Sequence, residues 1–376
     1  MWKIRTNTFL NICIVISLFF LFYYAVLTQT TLEQRRHLRR NIKKDVGNVK
    51  FLPSIYKKSK EYNIWIIFTK VTNVSTLSYK FRDLIHNLLN VSSVPLKFNI
   101  IVDEVSQVIA ENQIADVLYG NKTLVYSFYD IEESANKIQD IVKVMTPHFS
   151  SKPGTYYSDA LFYISLGLYR IAPLSQQYAI LLDCDLFFKK DISLLFNEFD
   201  NFKSTALFGL APELTPVYLH VLHMYKAKHN TTFGDYYRVN NISNDVHPRG
   251  FQGYNSGVVL INLAAQRKSL EFSKIISNAS VQTMTSKYRY DLNWDLVNCL
   301  QILCYFRFRG HLGDQDFYTL VGYEYPHLIQ TLNCGFNRQL CTWWRDHGYV
   351  NIFSNYFKCE HDIVVLHGNC NTRIPK

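Results

Sequence analysis

The run Tyr178-Ala-Ile-Leu-Leu-Asp-Cys-Asp-Leu-Phe-Phe188 constrains this chain more than any other. It is a short apolar stretch of the kind that forms a buried strand. It is interrupted by two carboxylates one residue apart, Asp183 and Asp185. Along an extended strand, residues two apart point the same way, so both carboxylates should face one place. A buried strand cannot leave two such groups unpaired. A divalent cation solves the problem, because hard oxygen ligands suit Mg²⁺ or Mn²⁺ and these ions bridge to substrate phosphates. An Asp-x-Asp pair is common by chance, so the reading needs support from elsewhere in the chain.

The surrounding sequence supplies a fold. Ile64-Trp-Ile-Ile-Phe68, Phe98-Asn-Ile-Ile-Val102 and Thr123-Leu-Val-Tyr-Ser-Phe128 read as further strands, with helical patterns such as Tyr79 to Leu89 between them. An amphipathic segment from Ser158 to Arg170, stopped before Pro173, feeds the strand that ends at Asp183. Thr205-Ala-Leu-Phe-Gly-Leu210 reads as another strand, and the polar stretch from Asn240 to Gly253 as a long loop. Strand, helix, strand at this spacing predicts an α/β domain on a mainly parallel sheet. Ligands in such sheets sit at the carboxyl ends of strands, where Asp183 and Asp185 lie.

The net charge of +10 over 376 residues suggests nucleic acid at first sight. Twelve Lys and Arg against three acids in residues 1–61 account for +9 of it, so the remainder is nearly neutral. The basic charge belongs to a tail and stem rather than to a binding face. Phe9 to Leu27 is uncharged and close to the roughly 20 residues that span a bilayer, with little resembling a signal-peptide cleavage site. Arg35, Arg36, Arg39 and Arg40 after it would favour a cytoplasmic domain. Two other features oppose that. Six N-x-S/T sequons begin at Asn73, Asn90, Asn121, Asn230, Asn241 and Asn278, and Cys334, Cys341, Cys359 and Cys370 crowd the C-terminal end. The cysteines lack zinc spacing and read as disulfides, which need an oxidising compartment. Cys13, Cys184, Cys299 and Cys304 read apart from that framework. The expected layout is a cytoplasmic tail (1–8), an anchor (9–27), a basic stem (28–62) and a lumenal catalytic domain (63–376).

Further segments add to the aspartates. Tyr254-Asn-Ser-Gly-Val-Val-Leu-Ile-Asn-Leu263 puts Asn255, Ser256 and Gly257 just before an apolar run. Gly257 allows a close backbone approach, and the other two can bond a sugar hydroxyl or phosphate. Gly310-His-Leu-Gly-Asp-Gln-Asp-Phe317 sets Asp314 and Gln315 at a helix start, more polar groups than a cap needs. Asp362-Ile-Val-Val-Leu-His-Gly368 is a strand ending in His367, a potential nitrogen ligand. In Cys341-Thr-Trp-Trp-Arg-Asp-His-Gly348, one Trp reads as a core anchor and the other as a surface for an apolar sugar face.

Together these segments resemble glycosyltransferase family 8. Asp183-Cys-Asp185, Asn255-Ser-Gly257, Asp314-Gln-Asp316 and the His367-Gly368 pair carry the likeness. Asn337-Arg-Gln-Leu-Cys-Thr-Trp-Trp-Arg-Asp-His-Gly-Tyr349 and His367-Gly-Asn-Cys-Asn-Thr372 narrow it to xylosyl transfer. The resemblance spans roughly residues 60–376. It implies the GT-A fold, a Rossmann-like mixed sheet flanked by helices. It implies a retaining transfer of xylose from UDP-xylose, with Mn²⁺ or alternatively Mg²⁺. The acceptor would be the xylose of a xylose-α1,3-glucose glycan on EGF-like repeats of Notch-type proteins. The setting would be the endoplasmic reticulum membrane, single-pass type II, with the Golgi as alternative.

Residue by residue, it implies metal ligands Asp183, Asp185 and His367. Donor contacts would come from Phe68, Thr69, Lys70, Cys184, Ser256, Leu312 and Gln315. Gln315 would lie near the reacting carbon, and Asp159 and Asp314 would hold sugar hydroxyls. The acceptor side would include Trp344, Asn369, His220 and His223. One departure stands out: the family follows its His-Gly pair with a Lys that contacts the diphosphate. Here the run is Gly368-Asn-Cys-Asn-Thr-Arg373. Arg373 or Lys70 replaces that Lys, or the metal handles the charge alone. Four cysteines allow three pairings. The crossed one, Cys334–Cys359 with Cys341–Cys370, would tie the His367 strand to the Trp344 loop, and it is the pairing expected. Two other readings remain: a family-8 enzyme using UDP-glucose or UDP-galactose, which donor profiling would separate, and a non-catalytic lumenal glycan-binding protein. The intact constellation argues against the second.

Overall fold

The computed structural model describes residues 61–375 apart from 73, 119–122, 151–159, 239–248, 289, 292–304, 307–309 and 311. The expected tail, anchor and nearly all of the stem lie outside these residues. So do Asp159, most of the loop expected at 240–253, the sequons at Asn73, Asn121 and Asn241, and Cys13, Cys299 and Cys304. Among the described residues, no helix is long and apolar enough to cross a membrane.

Twelve strands are described. They are β1 (Tyr62–Phe68), β2 (Leu96–Val102), β3 (Val125–Asp130), β4 (Tyr178–Leu182), β5 (Leu186–Phe188) and β6 (Phe208–Pro212). Then follow β7 (Tyr254–Asn262), β8 (Tyr290–Asp291), β9 (Tyr305–Phe306), β10 (Ile329–Thr331), β11 (Arg338–Gln339) and β12 (Val365–His367). Seven of them form one sheet in the order β10-β6-β7-β4-β1-β2-β3. A second, three-stranded sheet runs β11-β12-β5.

The apolar strands are buried on both faces, and their period of two divides the core. Trp65, Ile101, Leu181, Val259 and Ile261 belong to one cluster. Ile64, Ile66, Phe68, Ile100, Leu182 and Leu260 belong to another. The second is covered by the helix Thr76–Val91, which buries Phe81, Leu84, Ile85 and Leu88. Ser75 caps that helix by accepting from the amide of Leu77.

The sheet is mainly parallel, as the sequence suggests, with one strand reversed. β1 pairs in parallel with β2 and β4, but β7 is antiparallel to both β4 and β6. The reason lies in residues 213–253. This excursion leaves β6 and closes on itself, with the Glu213 amide donating to the Gly253 carbonyl. The chain therefore re-enters at the end it left, which forces β7 to run backwards. That reversal sets the beginning of β7 beside the carboxyl end of β4.

A correction concerns the aspartates. β4 stops at Leu182, so Asp183 and Asp185 do not share a face by strand alternation. Asp183 makes one last contact with the large sheet, its amide donating to the Gly257 carbonyl at 3.0 Å. The chain then crosses into the small sheet as β5. The carboxylates occupy the turn at this switch.

Candidate active site

β12 runs antiparallel to β5 with His367 opposite Leu186, and the Gly368 amide donates to the Asp185 carbonyl at 2.8 Å. This pairing delivers His367 to the aspartates. Its Nε2 lies 3.3 Å from Asp185 Oδ1 and 3.7 Å from Asp183 Oδ2. One ligand atom from each of the three residues falls within 4.8 Å of the others. A Cβ on Gly257 would run into the His367 imidazole, so this glycine makes room for the ring.

A chain of buried amides fixes which nitrogen faces the carboxylates. Asn337 donates to Asn255 Oδ1 at 2.8 Å, so its own oxygen faces His367 Nδ1, 2.9 Å away. The ring donates from Nδ1, and Nε2 is left toward Asp183 and Asp185. That is the arrangement of a histidine held ready as a metal ligand. Two carboxylates and one oriented imidazole in a turn fit a divalent cation by donor chemistry and by convergence. These residues form a candidate divalent-metal site.

The titration of the cluster follows from its crowding. Burial and the neighbouring Asp185 charge push Asp183 upward. The Asp183 side chain is still 58% exposed to the opening, so water tempers that shift. Burial also opposes charge on Asp185, but the His367 and Lys80 contacts outweigh it and hold its carboxyl below the usual range. Burial alone would lower His367; the hydrogen bond and charge of Asp185, with Asp183 behind, turn the shift upward.

The same network reaches Gln315. Asn255 donates to Glu213 Oε2 at 2.9 Å, and Gln315 Nε2 lies 3.3 Å from that oxygen. Thr215 donates to Glu213 Oε1 at 2.6 Å. The Ser256 amide approaches Gln315 Oε1 at 3.4 Å, and the Ser256 hydroxyl donates to Asp314 Oδ1 at 3.1 Å. Ser165 donates to the other Asp314 oxygen. Burial lifts the Asp314 pKa to about 7, with the Asp183 charge adding to it and the two serines opposing. Asp316 is structural: it accepts from the Tyr218 hydroxyl at 2.9 Å and from the Leu312 amide at 2.7 Å.

The remaining expected residues divide. Phe68 is fully buried against Phe81, so it can offer a donor only its main chain. Thr69 follows at the end of β1. Lys70 has a left-handed backbone, φ 57°, and its amide donates to Asp103 Oδ2 at 2.5 Å. Cys184 is buried as a free thiol, and burial pushes its pKa well up. On the other side, His220 is exposed and bonds the Tyr349 hydroxyl through Nδ1 at 2.7 Å. Its ring is 5.0 Å from Trp344. Trp344 packs partly against the core, while Trp343 is the exposed one and stacks on His347. His223 bonds the His220 carbonyl. The Asn369 oxygen is already taken by the Leu340 and Cys341 amides. The disulfides are Cys334–Cys359 and Cys341–Cys370, the crossed pairs.

Sequence reasoning missed Glu213, Asn337 as a ligand-orienting residue, and Lys80. Glu213 had a signal: it is an acid just past the carboxyl end of a buried strand, as Asp183 is. The other two act through contacts more than 100 residues away or across two elements and leave no local pattern.

A mixed, parallel-rich sheet carrying a carboxylate–imidazole metal site beside Asn255-Ser-Gly257 and Asp314-Gln-Asp316 defines a glycosyltransferase of GT-A-like fold. No family model matches the sequence. The chain is 38% identical to human xyloside xylosyltransferase 1 over 323 residues, 84% of this chain and 75% of that protein. The mouse protein of that name gives the same identity and coverage. The fold matches the crystal structure of mouse xyloside xylosyltransferase 1 in its apo form. That match has a TM-score of 0.71 and 35% identity, covering 84% of this chain and 100% of the other. The chain belongs to the xyloside xylosyltransferase family and is an enzyme.

Proposed function

We propose that this enzyme transfers xylose from UDP-xylose, with retention, to form an α1,3 bond to the xylose of a xylose-α1,3-glucose glycan on EGF-like repeats of Notch-type proteins. The observation that carries the reading is the joining of Asp183, Asp185 and His367 to Gln315 through one buried network, in a chain of this family. Mn²⁺ is the proposed ion, held by those three residues. When bound, a divalent cation stabilises the charge that develops on the departing diphosphate.

The protein's own residues supply position. The main chain at Phe68-Thr69-Lys70, pinned by Asp103, receives the uridine, with Cys184, Ser256 and Leu312 beside the donor. Asp314 and Asp159 hold sugar hydroxyls. Gln315 stands nearest the reacting carbon, and an amide is a poor nucleophile. Glu213 sits behind it, 3% exposed and accepting from three side chains, so it is not placed to attack. A front-face substitution follows. The acceptor oxygen bonds to the sugar carbon as the carbon–phosphate oxygen bond breaks, and a phosphate oxygen takes the acceptor's proton. Trp344, His220, His223 and Asn369 form the acceptor side. The proposed setting is an endoplasmic reticulum (or Golgi) membrane, with residues 9–27 as anchor and the catalytic domain lumenal.

The test is purified protein incubated with a panel of UDP-sugars and a xylosyl-glucose acceptor. UDP-xylose should give the most product. A pocket discriminates one carbon by only about 1–3 kcal/mol, so weak use of UDP-glucose is compatible. A preference for UDP-glucose or UDP-galactose would overturn the assignment.

A further inference from the structure

The metal site needs a second cation. A divalent ion offsets Asp183 and Asp185, and nothing is then left over for a diphosphate that gains a further negative charge as the sugar leaves. Among the described residues, the Lys or Arg that pairs with either carboxylate is Lys80. Its Nζ lies 3.4 Å from Asp185 Oδ2, the oxygen turned away from His367. It also donates to Asn371 Oδ1 at 3.1 Å. Asn371 and its neighbour Cys370 both have left-handed backbones, with φ of 58° and 55°, in the segment that follows His367-Gly368. The Cys341–Cys370 disulfide holds that segment.

The placement of Lys80 is built in. Seven residues along the same helix, and therefore on the same face, Asn87 grips the Phe188 main chain in both directions. Its Nδ2 donates to the Phe188 carbonyl at 3.0 Å, and the Phe188 amide donates to its Oδ1 at 2.6 Å. Seven helical residues and three extended ones each span roughly 10 Å. Clamping Asn87 to Phe188 thus brings Lys80 level with Asp185. With 30% of its side chain exposed, the ammonium borders the cleft rather than the core.

We infer that Lys80 is the diphosphate-binding cation of this enzyme, reaching the metal centre from the helix Thr76–Val91 instead of from the C-terminal segment. This rests on the nucleotide-sugar reading of the site. Arg373 and Lys70 are then not the replacements for the Lys absent after Gly368. A point charge suffices here, since phosphate needs no planar fork from its partner.

The experiment is isothermal calorimetry on the wild type, Lys80→Met and Lys80→Arg, titrated with Mn²⁺ alone, and with UDP or UMP in the presence of Mn²⁺. Losing one charge-assisted hydrogen bond weakens binding roughly ten- to hundredfold. Lys80→Met should lose that much affinity for UDP, much less for UMP, and nothing for Mn²⁺ alone, since the ammonium and the ion compete for Asp185. Lys80→Arg should keep most UDP affinity, which also guards against a folding defect in the Met variant. Equal loss for Mn²⁺ and UDP would make Lys80 a mere prop for Asp185 and overturn the inference. So would unchanged UDP binding by Lys80→Met. A wild type that does not bind UDP would overturn the nucleotide-sugar reading itself.

Discussion

The candidate metal cluster and the aromatic group around His220 and Trp344 are held by different physics. At the metal cluster, His367, Asn337, Asn255, Glu213 and Gln315 are all nearly or fully buried and joined side chain to side chain. Each member has its polar atoms committed, so the geometry is set by the sheet and cannot shift without stranding a buried group. In the aromatic group, His220, His223, Trp343 and His347 are exposed and meet by ring contacts and bonds to nearby main chain. The Cys341–Cys370 disulfide fastens the Trp344 loop to the segment after His367, beside the bonds from the Leu340 and Cys341 amides to Asn369. The chemical step that every substrate shares is thus built into the fold. The surface expected to meet the acceptor is attached to it and open to variation.

This contrast sets the expected sizes of effects. Asp185→Asn is nearly isosteric but removes a charged ligand. Several kcal/mol of charge stabilisation go with it, so transfer should fall about a thousandfold. Melting temperature without metal or nucleotide should change little. Full activity in this variant would dissolve the metal cluster as a functional unit. Next comes the tether. Cys341→Ser opens a bridge between residues 29 apart, worth about 3–4 kcal/mol of stability in the chain-entropy model. Chemical denaturation should show that loss, and kinetics should show a raised acceptor KM with donor hydrolysis less affected. If hydrolysis and acceptor use fell together, the two regions would not be separable.

Glu213→Gln is a milder probe of the buried network. It sets an NH₂ among groups that donate to Glu213, at a cost of about 1–3 kcal/mol. We expect kcat reduced about tenfold or more, with a modest fall in melting temperature. An unchanged kcat would mean that Gln315 is positioned without Glu213. The smallest effect is a pH dependence. Contacts with Asp185 and Asp183 hold the His367 proton above its ordinary 6.5. A cation binding at Nε2 must displace that proton. Apparent Mn²⁺ affinity should therefore rise with pH until the raised pKa of His367 is passed and level off beyond it. Calorimetry in buffers of different ionisation enthalpy would register the released proton. Affinity independent of pH up to that pKa would exclude His367 from the shell.

Strands β1, β2, β3, β4, β6, β7 and β12 and the candidate metal residues were legible in the sequence because each carries a local signal. An apolar run ending in acids, an Asn-Ser-Gly before another run, and a His at a strand end are all patterns within ten residues. The direction of β7 was not legible, since it depends on where a long excursion returns. Nor was the route by which Asp183 and Asp185 converge: strand alternation gives the right neighbours for the wrong reason, and a turn between two sheets does the work. Asn337 and Lys80 were missed because their roles come from packing, whereas the acid Glu213 at the end of a buried strand did carry a local signal. Lys80 reads as one more basic residue on an amphipathic helix until Asn87, two turns on, is seen clamped to Phe188.

The most direct measurement is anomalous diffraction at the manganese edge from a crystal of the protein grown with Mn²⁺ and UDP. The expected result is one strong peak within coordination distance, about 2–2.3 Å, of a carboxylate oxygen of Asp183, one of Asp185 and Nε2 of His367, with the diphosphate completing the shell. A peak elsewhere, or bound UDP with no metal between these three residues, would contradict it.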